Sequence, residues 1–282
     1  MKFDGPVAGI PGAFIRHVDS LPDHLPDAEP AGQSSQAKPG ELLIDLPNVA
    51  RFLIREGTSI EVAVAPDADP GMVLLLLNGS ARGGLIHQRG ELALHAATLV
   101  PPGRDGAIAL CADSGVGKST LAYELTRRGW ELVADDTTRV TWNGTNAIGW
   151  PSRDFIKLWR DACEANGIDV ADLDRVTAKM DKYYLRVPAR SEPVRLSCVI
   201  ELSVAHPARQ GCSSLAERMS LLTRHTYRRA FVRPLGRQAD FVQMVAHAAS
   251  TCKIAQLTDV RSRPVAALAD IVEELAQDLP AL

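Results

Sequence analysis

Hydrophobic positions along the chain fall into two patterns. From Glu41 to Pro66 they come in short runs closed by turn residues, ELLIDL, ARFLIREG and TSIEVAVAP, which predicts three strands. The first 24 residues hold briefer apolar stretches, Val7–Ile10 and Ala13–Ile15, broken by Gly and Pro, so strand and turn are expected. Residues 25–40, LPDAEPAGQSSQAKPG, have no apolar period and are expected as a loop or linker. Met72–Gly90 suits a helix weakened by Gly79, Gly83 and Gly84.

The centre of the chain changes character. Gly106–Cys111 (GAIALC) carries no charge and predicts a short buried strand. In Ser119–Arg128, Leu121, Ala122 and Leu125 stand at helical spacing, and Gly129 follows as a C-cap residue. Glu131–Ala134 (ELVA) and Thr138–Trp142 predict two more strands. Further on, helices are expected over Phe155–Asn166, Val170–Lys179, Met219–His225, Asp240–Ser250 and Ile271–Leu279, and a strand over Val194–Leu202. The chain thus divides into an N-terminal β-rich extension, residues 1–91, and an α/β domain, residues 92–282.

Between GAIALC and its helix lies ADSGVGKST, residues 112–120. Gly117, Lys118 and Ser119 match the end of the GxxxxGK[ST] phosphate loop, with Ala112 at its first glycine. Gly115 and Gly117 let the backbone wrap so that N–H groups point at phosphate oxygens, and the helix start adds its positive end. Asp113, Ser114, Gly115, Val116, Gly117, Lys118, Ser119 and Thr120 are therefore the candidate nucleotide contacts, with Lys118 on the β/γ-phosphates and Ser119 on Mg²⁺. ATP and Mg²⁺ are the expected ligands. Asp135 and Asp136 follow ELVA, at the carboxyl end of a strand expected to neighbour the loop. One carboxylate suits the metal and the other suits proton abstraction. His95, in LALHAATLV, stands just before the loop strand. Ala178–Asp181 (AKMD) comes close to a guanine signature but lacks its first Asn or Thr and follows polar sequence, so it is set aside. Arg224–Arg237 carries five arginines and one histidine and is expected as a solvated face; Lys157 and Lys182 likewise.

Composition narrows the alternatives. At 46% hydrophobic the chain can bury a core, and a net charge of −3 argues against a general nucleic-acid or membrane-surface binder. Cysteines 111, 163, 198, 212 and 252 have irregular spacing and no CxxC pair, which fits reduced thiols in the cytoplasm and neither a disulfide framework nor a zinc site. Met1–Lys2–Phe3 leads into Asp4, Gly5 and Pro6, so no signal peptide is expected. The longest aliphatic run, Met72–Leu77, is far short of the roughly 20 residues a bilayer span needs.

CADSGVGKSTLAYELTRRGWELVADD, with His95 upstream, resembles the catalytic domain of HPr kinase/phosphorylase. Arg51–Leu53, His87–Gly90, Leu94–Ala96 and Pro151–Trp159 are similar to segments of the shorter HPr-kinase-like proteins associated with lasso-peptide maturation. The resemblance implies a P-loop kinase fold and an ATP- and magnesium-dependent serine kinase whose substrate is HPr or a peptide precursor. It implies Asp135 as the base, Asp136 at the metal with Ser119, His95 tuning the site, and a homo-oligomer. The chain departs from the bifunctional enzymes at AIGWPSRDFIKLW, which lacks their metal-site Glu. Two other readings therefore stay open: an ATP-binding regulator without phosphotransfer, and a simple P-loop NTPase.

Overall fold

The computed structural model describes residues 3–204 and 214–280. It is a mixed α/β structure with three sheets. The first sheet has seven strands: β1 (Gly5–Pro6), β2 (Phe14–His17), β3 (Glu29–Pro30), β4 (Ser35–Lys38), β5 (Glu41–Leu46), β6 (Ala50–Arg55) and β7 (Ser59–Val64), in the order β1-β2-β7-β6-β5-β4-β3. The three strands expected after Glu41 are β5, β6 and β7. Residues 25–40 do not run as a free linker, because β4 pairs with β5 and β3 pairs with β4, with Ala37 opposite Leu42 and buried.

Helix α1 (Pro70–Leu76) starts where Asp69 accepts a hydrogen bond from the Gly71 amide at 2.9 Å and Pro70 supplies a preset φ. A single π-helical turn, Leu77–Ala81, connects it to α2 (Arg82–Gln88). The glycines that weaken this helix on paper make room for neighbours. A Cβ on Gly79 would stand 2.9 Å from the Tyr227 hydroxyl, one on Gly83 3.0 Å from the same ring, and one on Gly84 2.2 Å from Leu42. Leu42 is fully buried and cannot move aside without disturbing the first sheet's core. Gly84→Ala is expected to destabilise the protein by about 1–2 kcal/mol in urea titration. With a 2.2 Å approach to a fixed side chain the overpacking cost lies in the upper part of the usual range, about 2–3 kcal/mol, and exceeds the roughly 1 kcal/mol gained in helix propensity.

After α2 come β8 (Leu92–Leu94), β9 (Ala96–Val100), β10 (Ala107–Ala112), helix α3 (Lys118–Arg127), β11 (Glu131–Ala134), β12 (Thr138–Trp142) and β13 (Ala147–Trp150). Then β14 (Phe155–Trp159), α4 (Arg160–Ala165), β15 (Arg175–Thr177) and β16 (Met180–Arg186) build a small third sheet in the order β14-β16-β15. The chain ends through β17 (Val194–Leu202), α5 (Leu215–Arg224), α6 (Gln238–Thr251), β18 (Lys253–Leu257) and α7 (Val265–Gln277). The central sheet runs β11-β9-β10-β17-β13-β12-β8, with β18 also on β17. Strands β10, β17 and β18 are parallel neighbours, and β9 lies antiparallel to both β10 and β11. β11 does not pair with β10, because β9 is inserted between them.

Two helical expectations also fail. Phe155–Asn166 begins as β14, and Val170–Lys179 is turn followed by β15. The segment FIKLW alternates: Ile156 and Leu158 are buried in the core with Leu121, Leu125 and Trp130, while Phe155, Lys157 and Trp159 face the other way. Pairing with β16, some 25 residues on, selects the strand. Cys111, Cys163, Cys198 and Cys252 are buried and unpaired; Cys212 lies outside the described residues. Among the described residues no helix is long and apolar enough to cross a membrane.

Candidate functional site

The antiparallel insertion of β9 decides what meets the phosphate loop. Its first residue, Ala96, is registered with Cys111 near the end of β10, so His95 arrives beside the loop. On β9's other side Ala134 is registered with Thr98, so Asp135 and Asp136 emerge at the same end of the sheet. Loop, histidine and carboxylates thus converge from three consecutive strands of the sheet.

The loop has the backbone a phosphate cradle needs. Gly115 and Gly117 have φ of 80° and 110°, and Gly117 precedes α3 with no side chain to cap its first amides. Lys118 is buried, and its Nζ donates to His95 Nε2 at 3.2 Å. His95 Nδ1 in turn donates to the backbone carbonyl of Asp136 at 2.7 Å. A carbonyl only accepts and an ammonium only donates, so the imidazole is fixed as the neutral Nδ1–H tautomer. Burial, with the Lys118 charge adding to it, holds the His95 pKa down at about 4. A histidine whose folded pKa lies below its unfolded value of 6.5 adds stability fully above pH 6.5 and loses it as pH falls towards 4. Thermal or urea unfolding should therefore show a stability loss on the order of 3 kcal/mol across that window. His95→Gln should flatten that part of the profile.

Asp135 is half-buried, with Oδ2 accepting from the Lys157 amide at 3.2 Å and a buried Oδ1 without a hydrogen-bond partner. Burial, and secondarily the Asp136 charge, raise its pKa above the ordinary carboxylate range. Asp136 sits at φ 63° and forms an ion pair with Lys157 Nζ. Burial opposes its ionisation, but Lys157 and Lys118 outweigh that and keep the carboxyl ionised well below its usual range. Two adjacent acids are thereby driven apart: one poised to take a proton, the other held as an anion.

These groups line a cavity of about 690 Å³. Of the loop candidates, Asp113, Ser114, Gly115, Gly117, Lys118, Ser119 and Thr120 border it; Val116 packs against the core instead. The far wall was not legible as a site. Period-2 alternation sends Phe155, Lys157 and Trp159 of β14, and Met180, Lys182 and Tyr184 of β16, into the cavity. Lys157 is 12% exposed, so it is not the solvated lysine expected. The π-helical turn supplies Asn78, Gly79 and Ser80, and such turns recur at functional sites. The five arginines of the 224–237 stretch are exposed, as expected, but the stretch also reaches the site. Arg224 bonds Glu201 at 2.8 Å, Arg237 bonds Asp240 at 2.9 Å, and Tyr227 stacks on His95 with ring centres 5.7 Å apart while Arg228 borders the cavity. The HQRG segment, by contrast, is structural. His87 bonds the Tyr227 carbonyl, Gln88 the carbonyls of Gly40 and Ile54, and Arg89 those of Gly57 and Pro11. In the AKMD segment Asp181 is taken up by Arg160 and Arg175.

No family model matches the chain, and no curated protein does. Among solved structures, the HPr(Ser) kinase/phosphatase from Coxiella burnetii is similar over 66% of this chain and 94% of that one, with 15% sequence identity and a TM-score of 0.35. A likeness at that level carries no argument about this chain.

Proposed function

We propose that the chain is a magnesium-dependent serine kinase that moves the γ-phosphoryl group of ATP to a serine hydroxyl of a protein or peptide. The observation that supports it is the meeting, in one cavity, of an uncapped Gly-rich loop with Lys118 and a half-buried carboxylate, Asp135, of raised pKa. The residues fit the ligands. The amides at the α3 start and Lys118 would hold phosphates, and Ser119 and Asp136 would hold Mg²⁺. When bound, the metal neutralises charge on the transferring group. Asp135 would accept the serine proton as the serine oxygen bonds phosphorus and ADP departs; Lys118 would neutralise the phosphate oxygens. HPr and a lasso-peptide precursor are the acceptors to try, each with γ-labelled ATP and Mg²⁺ and with mass spectrometry to locate the phosphate. Label on a serine supports the kinase. Bound, intact ATP with no label on either acceptor favours the second reading, an ATP-binding regulator, for which the Lys157–Asp136 ion pair speaks because it engages the carboxylate a metal would need.

A further inference from the structure

Buried arginines normally find a carboxylate, and Arg139 does: it bonds both oxygens of Glu91, at 2.6 and 2.7 Å. Arg82 does not. It is 3% exposed, yet its guanidinium meets only carbonyl oxygens, those of Ala8 and Thr137, both at 3.0 Å, and Nη2 has no partner. Arg153 is exposed and borders the same cavity, with Asn78 Oδ1 as its hydrogen-bond partner at 2.6 Å and no ion pair among the described residues. The hydroxyl of Thr137, also on the cavity wall, is buried and unsatisfied. Of the acids nearby, Glu91 is taken by Arg139, Asp154 by Arg186 and Asp136 by Lys157, while Asp135 accepts from the Lys157 amide and has no ion pair among the described residues. A buried guanidinium with an unfilled donor, beside an exposed arginine that has no ion pair, is what an anion site looks like before its anion arrives.

We propose that Arg82, Arg153 and Thr137 form an anion subsite of this cavity, separate from the phosphate loop, that takes a carboxylate or phosphate group carried by the acceptor next to its reacting hydroxyl. The assignment to the acceptor rests on the kinase reading; the anion subsite itself does not. Arg82 and Arg153 belong to different segments, α2 and the turn before β14, so the site is assembled by the fold. Burial, with the charges of Arg139 and Arg153 adding to it, lowers the Arg82 pKa to about 10, and an anion would relieve that cost. Arg228, on the same cavity and without an ion pair among the described residues, extends the positive wall.

The test separates the two claims. Protein loaded with a non-hydrolysable ATP analogue and Mg²⁺, so that the loop is filled, is titrated calorimetrically with inorganic sulfate. Wild type should take up one sulfate; Arg153→Gln should bind it at least tenfold more weakly, and Arg153→Lys should recover part of the loss. No uptake by the loaded wild type, or equal uptake by Arg153→Gln, overturns the subsite. In parallel, two serine peptides differing only by Glu or Gln beside the serine are compared with labelled ATP. The Glu peptide should show a KM at least tenfold lower, a preference that Arg153→Gln abolishes. Equal KM values beside normal sulfate binding overturn the acceptor assignment. Sulfate binding with no label on either peptide upholds the subsite and overturns the kinase reading.

Discussion

Asp135→Asn is expected to lower phosphoryl transfer by about 10²–10⁴-fold, the usual contribution of a positioned base, while nucleotide affinity stays within about threefold. The separation of effects follows from the geometry. Nucleotide would be held by the loop amides and Lys118, which Asp135 does not touch, and Asn preserves the bond to the Lys157 amide through its own oxygen. The substitution should not cost stability, and the sign can be worked out. Burial and Asp136 raise the folded-state pKa of Asp135, so the fold favours its protonated form. A carboxylate in that position works against the fold at every pH above its unfolded value, and the cost disappears on acidification. At pH 7.5 the Asn variant should therefore melt at the same temperature as wild type or higher. Wild-type turnover should fall on the acid side, through a pKa above the ordinary Asp range, because only the ionised carboxylate accepts a proton. Unchanged turnover in Asp135→Asn would remove this residue from the chemistry. A large drop in melting temperature would show that its role is structural.

The sequence carried the half of the site that depends on residue type and short spacing. A Gly-rich loop between an uncharged strand and an amphipathic helix has few other uses, and β17 follows the expected Val194–Leu202 residue for residue. It did not carry the half that depends on distant partners. FIKLWRDACEAN places apolar residues where either period would accept them, and the strand prevails because β16 pairs with it and Ile156 and Leu158 have a core to enter. Once that strand is in place Lys157 turns inward to Asp136. Arg82 gives no local signal at all. It sits in a glycine-rich helix, and its burial is made by Ala8, 74 residues away, and Thr137, 55 residues away. The order of β11, β9 and β10 is hidden for a similar reason: a phosphate-loop strand followed by helix and strand suggests direct neighbours, and only non-local pairing shows that β9 separates them.

Lys157→Met is expected to destabilise the protein by about 2–3 kcal/mol and to be largely rescued by adding Asp136→Asn. Removing one member of a buried ion pair strands the other, at a typical cost of about 3–5 kcal/mol. Here Asp136 keeps 31% of its side chain exposed on the cavity, so water recovers part of that cost. The double variant removes the stranded charge and leaves a methionine lying along Phe155 and Tyr184, so the two substitutions should be strongly non-additive, with a coupling of at least about 1 kcal/mol. Urea unfolding at pH 7.5 is the right comparison. Asp136 is held ionised far below that pH and the Lys157 pKa is raised, although burial alone would lower it, because Asp136 and Asp135 outweigh burial. The pair is therefore intact in wild type, and His95 contributes its full share in every variant. The same variants bear on the metal. With Lys157 gone, Asp136 is released, so Lys157→Met loaded with an ATP analogue should bind Mg²⁺ more tightly than wild type, and the double variant should not. Mg²⁺ affinity equal in all three proteins would mean that Asp136 is no ligand for the metal and that its carboxylate serves only to hold Lys157 in the cavity wall.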